Sequence, residues 1–387
     1  MNILFVSNNP FSPEVGGSER VTDRLCRNFL AHGYCCFYLT FPCRIDSKNF
    51  RYPVEPHFFP EIGCSQVNRE FYHTYLRKNH VDIVINQRGD SAYSKLFLDI
   101  GECAVKRISV LHGDPLQGYD CLWKSILSAS EHTIGENMKQ VARILLYVYR
   151  KRNIWKNVCH HFDFLNSHTD WVVTPSPNYK NILSRVNYNL ACKNVSIPNP
   201  NTYDLVKEMP VHKEREVLFV GRLVSNKRVE RILKIWSMLW RNNPDWRLSI
   251  IGEGSREEWL KNMAKEMALQ NITFYGRQDP LPFYQRASIV CLTSDDETWG
   301  MVLTEGMQMA CVPMTFNYVA TEDFINNGEN GEIIPPYKLD MYARKLQYLM
   351  QNDKYRMKLA KNAFDSIKKF DLDSVAAQWH RLLQVTN

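Results

Sequence analysis

The sequence is notable first for the features that it does not contain. None of its apolar runs reaches the ~18 residues that a transmembrane helix needs. The start, MNILFVSNNP, has no basic leader before a long apolar core, so we expect a buried strand there rather than a signal peptide. The 11 cysteines include no CxxC or CxxxC pair. This pattern predicts no metal site and favours reduced core cysteines in a cytoplasmic protein.

Charge and composition exclude further classes of protein. The 387 residues are 44% hydrophobic and 23% charged, which is ordinary for a globular protein of two or three domains. A net charge of +7 is too small for a dedicated nucleic-acid binder. It suits an anionic ligand or a membrane surface, depending on where the charge is concentrated.

Two segments predict the start of a parallel sheet. The apolar run NILFVSNN is followed by the helical pattern of GGSERVTDRLCRNFLAHG, and about 215 residues later EVLFVGRL is followed by VERILKIWSMLW and WRLSIIGEG. Strand, helix and strand joined by short loops indicate an α/β fold with helices on both faces of a sheet. We therefore expect two similar Rossmann-like domains in tandem.

The predicted domain boundaries follow from this repetition. The first domain takes residues 1–200, with a mostly helical insertion at 116–165, and the second takes residues 201–368. A polar linker at about 201–216 lies between them. The segment LDSVAAQWHRLLQ has helical periodicity, so residues 369–387 are assigned to a separate C-terminal helix.

The loop in LFVGRLVSNKRVE is a candidate phosphate site. It follows a predicted strand, and ligands of open α/β sheets bind at the carboxyl ends of strands. Gly221 allows close backbone approach, Arg222 offers a bidentate fork and Lys227 a point charge, a set that matches a diphosphate without a metal. The alternative is a solvated loop with two ordinary cations.

The stretch DDETWGMVLTE places two carboxylates, Glu297 and Glu305, eight positions apart around a predicted helix start at Gly300. A helix N-terminus favours anions through its free N–H groups and its dipole. One carboxylate can then hold a sugar hydroxyl and the other a ribose diol, with a diphosphate between them. The alternative is that Glu297 is a loop charge and Glu305 a surface helix residue.

Taken in order, these motifs resemble the donor domain of the retaining glycosyltransferases of family 4, which have the GT-B fold. The match runs over about residues 215–340 and is closest to enzymes that extend bacterial surface polysaccharides and lipid-linked oligosaccharides. The matching residues are Gly221, Arg222 and Lys227; Gly252 and Gly254 in IIGEG; Gly276 in FYGRQ; Glu297 and Glu305; and the NGENGEII turn.

The resemblance implies a role for each matching residue. Arg222 and Lys227 should neutralise the donor diphosphate, Glu305 should bind the ribose, and Glu297 should contact the transferred sugar. Together with His112, the residues expected to be catalytic are Arg222, Lys227 and Glu297. The implied donor-binding set is Gly221, Arg222, Lys227, Gly252, Gly276, Arg277, Glu297, Thr298, Trp299, Gly300, Met301, Val302 and Glu305.

The sequence departs from the family pattern at three places. Thr298 and Trp299 stand where the family usually has Gly-Phe, which narrows the sugar subsite. Arg228 replaces the glycine that often follows the lysine. Ala310 replaces a glycine at the end of the helix.

The first domain resembles the family more weakly. Gly16 and Gly17 in PEVGGSERV match its glycine-rich first loop, which approaches the acceptor or a phosphate, and Ser18 can cap the helix that follows. A plain strand–helix turn would also use glycine. His112 ends a predicted strand where the family often places a histidine at the reaction centre, although a structural histidine is the alternative.

The resemblance thus implies a GT-B fold with two domains facing across a cleft and the C-terminal helix crossing back to the first. It also implies a retaining, metal-independent hexosyltransferase that needs no cofactor besides a nucleotide-sugar donor, such as a UDP-sugar, and takes a saccharide or lipid-linked acceptor. The alternatives are a nucleotide-sugar epimerase of the same fold or a non-catalytic nucleotide-sugar-binding protein. A dinucleotide oxidoreductase is disfavoured, because neither first loop contains GxGxxG.

The insertion carries a basic amphipathic pattern in MKQVARILLYVYRKRNIWKNV. Such a helix suits peripheral docking on the anionic inner face of a cytoplasmic membrane. An internal helix with a solvated basic face fits equally well. The apolar residues are Val141, Ile144, Leu145, Val148 and Trp155, and the basic ones are Lys139, Arg143, Arg150, Lys151, Arg152 and Lys156.

Overall fold

The computed structural model describes most of the chain. The described residues are 1–9, 12, 16–42, 51–114, 116, 134–204, 206–210, 212–295 and 297–385, and the side chains of 134–148 are left out. The described chain forms two compact units. The first unit is Met1–Pro198 with Trp379–Asn387, and the second unit is Asn199–Gln378.

The first unit contains a seven-stranded parallel sheet of order β3-β2-β1-β4-β5-β6-β7. Its strands are Asn2–Ser7 (β1), Cys35–Thr40 (β2), Pro56–Phe58 (β3), Ile83–Asn86 (β4), Lys106–Val110 (β5), Trp171–Thr174 (β6) and Asn194–Ser196 (β7). Its helices are Gly17–Ala31 (α1), Gln66–Lys78 (α2), Ser94–Phe97 (α3), Ile134–His168 (α4), Tyr179–Val186 (α5) and Tyr188–Cys192 (α6).

The long helix α4 accounts for part of the predicted insertion. It spans 35 residues and continues past the predicted end at 165 to His168. Residues 117–133 of the insertion lie outside the described residues, as do the side chains of Lys139, Val141, Arg143, Ile144, Leu145 and Val148. Phe162 and Leu165 on its last turns are buried against β6 and the helices that follow it.

The second unit contains a six-stranded parallel sheet of order β10-β9-β8-β11-β12-β13. Its strands are Glu214–Val220 (β8), Arg247–Ile251 (β9), Ile272–Gly276 (β10), Ala287–Leu292 (β11), Val312–Phe316 (β12) and Glu332–Ile334 (β13). Its helices are Val229–Ser237 (α7), Glu257–Glu266 (α8), Leu281–Arg286 (α9), Met301–Gln308 (α10), Thr321–Phe324 (α11), Leu339–Gln351 (α12) and Asp353–Ser366 (α13). The helix Leu372–Val385 (α14) begins in the second unit and ends in the first.

The centre of the second sheet explains where a ligand can approach. Strands β8 and β11 lie side by side, and the strand order reverses between them: β9 and β10 lie beyond β8, and β12 and β13 beyond β11. All six residues of β11 are buried, as expected for a strand covered on both faces. Such a reversal opens a crevice at the carboxyl ends of the two central strands.

Candidate functional site

The candidate site is built from two loops at that crevice. One loop follows β8 and the other follows β11, and hydrogen bonds join them directly. The Asp295 N–H donates to the carbonyl of Asn226 over 3.0 Å, and the Thr293 hydroxyl donates to the carbonyl of Arg228 over 3.1 Å. The two motifs identified from the sequence therefore form one surface.

A lysine and a carboxylate meet in this surface. Lys227 ends a short 3₁₀ turn after β8, and its Nζ donates to Glu297 Oε1. The Ser294 hydroxyl donates to the same oxygen over 2.9 Å. The two charged side chains are only 20% and 13% exposed, so water screens their interaction weakly. The structure thus brings together two of the residues for which the sequence predicts a catalytic role.

A second ionic cluster stabilises the same loop. Asp295 accepts hydrogen bonds from Arg228 and Arg231, and Arg231 also donates to the carbonyl of Thr293 over 3.0 Å. Arg228 has a left-handed backbone (φ +49°), the conformation that the family's glycine would adopt at this position without strain. Its guanidinium pairs compensate for that strain and fix the loop that carries Glu297.

The two other predicted cations are exposed. Arg222 follows Gly221 directly, and among the residues that the structure describes no hydrogen bond or ion pair is found for its guanidinium. Arg277 pairs with Glu253 over 3.3 Å, with both side chains more than half exposed, so the pair adds little stability. Arg222 is therefore available to an anion, whereas Arg277 is partly occupied.

The predicted glycines bring three strand ends into close contact. The Gly221 N–H donates to the carbonyl of Ile251, and the Gly252 N–H donates to the carbonyl of Gly276. Gly252 has φ +137°, and a Cβ built there would lie 1.9 Å from the Gly221 oxygen. Only glycine fits at position 252, so this part of the site is lined by main chain.

The helix start at Gly300 is equally restricted. Gly300 caps α10 with φ +77°, and a Cβ there would lie 2.1 Å from Tyr318 Oη. Met301 and Val302, which follow it, are half-buried. The Trp299 indole packs against Phe324 and Phe370, with both ring centroids 5.2 Å away. Trp299 is thus a core anchor, and its contribution to a ligand site is its main chain.

Glu305 is a buried residue of α10, so the alternative of a surface helix residue is wrong. Glu305 is only 2% exposed to solvent. Oε1 accepts from the Thr202 hydroxyl over 2.7 Å, and Oε2 accepts from the Tyr284 hydroxyl over 2.8 Å. A buried carboxylate costs free energy unless it is hydrogen-bonded, and these two hydroxyls meet that need.

The remaining predicted residues lie in the first unit. His112 follows β5, and its Nε2 lies 2.8 Å from the amide oxygen of Gln87, to which an Nε2–H donates. Burial lowers the pKa of His112, against the opposing effect of the nearby Asp90 and Glu19 carboxylates. The neutral imidazole is therefore favoured.

The glycine-rich loop differs in one respect from expectation. The cap of α1 is Gly16, whose carbonyl accepts from the Arg20 N–H, and Gly17 is the first helical residue. Ser18 does not cap the helix: its hydroxyl donates to Glu19 Oε2 over 2.8 Å. The prediction for Ser18 is wrong because Ser18 lies within the first turn of α1, after the Gly16 cap, and the side chain that caps a helix belongs to the residue before that turn.

Four further polar residues, three in the second unit and one in the first, were not identified from the sequence. Thr202, Tyr284 and Ser294 contact the two glutamates, and His161 lies with Nε2 2.7 Å from the Gly89 carbonyl. Ser294 had a usable signal, because it is a polar residue between a strand end and Glu297.

Neither a metal cluster nor a membrane-spanning helix is found in the described part of the chain. Among the described side chains there is no group of three or more His, Cys, Asp and Glu that could hold a metal ion. None of the described helices has the length and apolar character to cross a membrane. The nine described cysteines are free, and Cys35, Cys64 and Cys192 are exposed rather than in the core.

Part of the chain is similar to known glycosyltransferases. Residues 204–366 match the family model described as glycosyl transferases group 1. An uncharacterized glycosyltransferase of Haemophilus influenzae is 28% identical over 192 residues, which is 49% of this chain and 54% of that protein. An α-1,4-N-acetyl-D-galactosaminyltransferase of Campylobacter jejuni, named for an undecaprenol-linked substrate, is 27% identical over 174 residues, 44% of this chain and 48% of that protein. The chain thus spans about half the length of these curated relatives.

Solved structures are similar over the whole chain. S. aureus TarM, in a complex with fondaparinux, α-GlcNAc-glycerol and UDP, has a TM-score of 0.75 at 13% identity, covering 100% of this chain and 99% of that one. Anabaena HepE, in a complex with UDP and glucose, has a TM-score of 0.72 at 15% identity, covering 100% of both chains. The resemblance of residues 204–366 to group 1 glycosyltransferases and the predicted α/β GT-B fold are confirmed.

Proposed function

Because the second unit carries a group 1 glycosyltransferase domain on a GT-B fold, we propose that the protein is a retaining glycosyltransferase. It moves a sugar from a nucleotide-diphosphate donor, with UDP-sugars as the first candidates, to a saccharide or lipid-linked saccharide acceptor. The pathway that fits is bacterial surface polysaccharide synthesis. The observation that carries the proposal is the contact of Lys227 with Glu297 beside the N-terminus of α10.

The comparisons support the choice of substrates. Two of the similar structures are described with UDP, one of them together with glucose. The Campylobacter jejuni relative is named for a lipid-linked saccharide, and a Bacillus subtilis relative, 26% identical over 188 residues, is a poly(glycerol-phosphate) α-glucosyltransferase. For this chain we propose a nucleotide-linked donor and a surface-glycan acceptor.

The proposed chemistry depends on charge. Glycosyl transfer passes through an oxocarbenium-like state while negative charge develops on the leaving diphosphate. Lys227, Arg222 and the first N–H groups of α10 can stabilise that charge without a metal. Glu297 orients Lys227 and can accept hydroxyls of the transferred sugar. The backbone at Gly221 and Gly252 lets the phosphates approach closely.

We propose that transfer occurs on one face of the sugar. The bond from the anomeric carbon to the diphosphate oxygen breaks, the acceptor oxygen bonds to that carbon on the same face, and its proton leaves with the diphosphate. No covalent glycosyl-enzyme is required. Trapping such an adduct by mass spectrometry would contradict this mechanism.

The first experiment is a thermal-shift screen of the full chain against a panel of nucleotide sugars. The sugars that stabilise the protein are then incubated with and without saccharide acceptors, and products are identified by mass spectrometry. We expect donor consumption with acceptor present. An epimerised donor without acceptor would indicate an epimerase instead, and binding without turnover or hydrolysis would indicate a non-catalytic protein.

The role of Lys227 is tested by Lys227→Ala. We expect kcat/KM to fall ~30- to ~1,000-fold, because one fixed donor at a developing charge is worth ~2–4 kcal/mol of the barrier. The control is Lys234→Ala, an exposed lysine of α7, which should leave kcat/KM near the wild-type value. Circular dichroism checks that both variants are folded. Near-normal turnover of Lys227→Ala would refute the assignment.

A peripheral membrane contact is part of the proposal. On the described part of α4, Tyr149, Arg150, Arg152 and Lys156 are exposed. Three cations and an aromatic ring within two turns of one helix suit anionic lipid headgroups. A lipid-linked acceptor would be presented at that surface.

A further inference from the structure

The buried carboxylate of Glu305 has a specific pair of hydrogen-bond donors. Thr202 donates to one oxygen and Tyr284 to the other, over 2.7 and 2.8 Å. Tyr284 is completely buried, and the Tyr203 ring packs edge-on against it with centroids 6.4 Å apart. Each oxygen is therefore held from a different side, which fixes the plane of the carboxylate.

The segment that supplies the threonine is itself held firmly. The Asn201 amide donates to the carbonyl of Ile367, and its N–H to that of Phe370, both over 2.8 Å. Tyr203 exchanges two hydrogen bonds with the Gln308 side chain, over 3.2 and 2.9 Å. Gln308 lies on α10, three residues after Glu305, so Thr202 is attached to the helix that carries its acceptor.

The two hydroxyls do more than satisfy a buried carboxylate, because they also set its orientation. One hydroxyl on each oxygen sets the orientation of the carboxylate, which is an acceptor for the hydroxyls of a ligand diol. Hydrogen bonds in a weakly solvated interior are strong and directional. A carboxylate with a fixed plane distinguishes ligands by the positions of their hydroxyls.

We propose that Thr202 and Tyr284 are positioning residues that aim Glu305 at the ribose diol of the donor. Through Glu305 they set the preference for ribonucleoside over 2′-deoxyribonucleoside diphosphates. This inference rests on the proposed function, in which Glu305 binds the ribose. The inference gives Thr202 a role in the choice between ribose and deoxyribose ligands, although Thr202 lies before the residues that match the family model.

The experiment compares two ligands on the full chain. Isothermal titration calorimetry gives Kd for the nucleoside diphosphate that stabilises the wild type most, and for its 2′-deoxy counterpart. The ratio of the two Kd values is the readout. The variants are Thr202→Val, which removes the hydroxyl at nearly constant volume, Thr202→Ser, which restores it, and Tyr284→Phe.

The matched control is Thr304→Val. Thr304 is also buried and adjoins Glu305 on α10, but its hydroxyl donates to the Met301 carbonyl within the helix. We expect the wild type to prefer the ribose form by ~10-fold, the value of one hydrogen bond to a charged group. Thr202→Val and Tyr284→Phe should each reduce this ratio about 3- to 10-fold, while Thr202→Ser and Thr304→Val retain it.

Three outcomes would overturn the inference. If Thr202→Val and Tyr284→Phe lower the melting temperature but leave the ratio unchanged, the two residues have a structural role only. If the wild type shows no preference for ribose, Glu305 does not bind the diol. If no nucleoside diphosphate binds the wild type, the proposed function itself fails, and the inference fails with it.

Discussion

Ala268 adopts a backbone conformation that favours glycine. It follows the C-terminal end of α8 with φ +49°, its N–H donates to the carbonyl of Lys265, and its side chain is exposed. An L-residue with this backbone conformation carries ~1–2 kcal/mol of strain, which glycine removes. The larger unfolded-state entropy of glycine offsets only a part of this gain in stability. Ala268→Gly should therefore raise the free energy of unfolding by ~0.5–1 kcal/mol, as measured by urea denaturation.

Ala377 provides the control for this prediction. It is exposed in the middle of α14, where the backbone is helical. Ala377→Gly should lower the free energy of unfolding by ~1 kcal/mol, since glycine is the poorer helix former. Two alanine-to-glycine changes at exposed sites should thus have opposite signs. Destabilisation by both would show that the conformation at position 268 is not strained.

The sequence could indicate special backbone positions of the site but not the contact partners of its side chains. Arg228 and Ala310 stand at family glycine positions, and both have positive φ, +49° and +57°. The family pattern therefore identified two special backbone positions although the residue types differ. It could not identify the partners of Glu305, because Thr202 is 103 residues away from it and Tyr284 21 residues away. Such pairs depend on the three-dimensional packing of the sheet.

Strands were more predictable than the long helix. The apolar runs NILFV, EVLFV and RLSII, from the segments that predict the two sheets, lie within β1, β8 and β9. Parallel strands covered on both faces consist of nearly continuous apolar residues, so their limits are visible in the sequence. α4 runs to His168, three residues beyond the predicted insertion at 116–165, because helix ends depend on local capping and packing rather than on composition.

The pairing of α14 with α1 depends on a neutral histidine. His380 on α14 has Nε2 3.1 Å from Asn28 Oδ1 and Nδ1 3.3 Å from Tyr34 Oη, and its ring centroid lies 4.5 Å from that of His32. One neutral tautomer satisfies both contacts, with Nε2–H donating and Nδ1 accepting. Burial, and secondarily the charge of His32, lowers the pKa of His380.

This lowered pKa predicts a loss of stability in acid. Below the ordinary histidine pKa of about 6.5 the unfolded chain binds a proton that the folded His380 resists, so stability falls as the pH decreases. His380→Gln cannot titrate, and its drop in melting temperature between pH 7.5 and pH 5.5 should be smaller by about 2 °C or more. Differential scanning calorimetry provides the measurement.

The same substitution at His160, an exposed residue of α4, is the control for the acid prediction. It should leave the dependence on pH as in the wild type. The half-buried His112 and His161, whose pKa values are also lowered by burial, will keep part of the acid sensitivity in both variants. An unchanged drop in His380→Gln would contradict the role given to the neutral imidazole.

At the scale of the molecule, the sequence indicated two domains because the strand–helix pattern occurs twice. The linker was placed at 201–216 from its polar composition. In the structure residues 201–203 belong to the second unit, where they bond to its helices, and Glu214 already begins β8. Composition could not reveal this, since within a folded unit Asn201 donates to the carbonyls of Ile367 and Phe370, and Thr202 donates to Glu305.

The distribution of positive charge leads to the last prediction. The exposed cations Arg150, Arg152 and Lys156 lie together on α4, next to the exposed ring of Tyr149. Each basic residue near an anionic bilayer contributes ~1 kcal/mol, and the attraction is screened within ~10 Å at 0.1 M salt. We expect the protein to sediment with vesicles rich in anionic phospholipid at low salt and to be released at 0.5 M salt.

Replacing these three cations with glutamine should weaken vesicle binding at least ~10-fold, because up to ~3 kcal/mol of attraction is removed. The matched control removes the same charge elsewhere, from the exposed Lys354, Lys358 and Lys361 of α13. It separates a docking face on α4 from a general effect of net charge. Equal losses in both triple variants, or no binding by the wild type at low salt, would leave α4 as a helix with a solvated basic face.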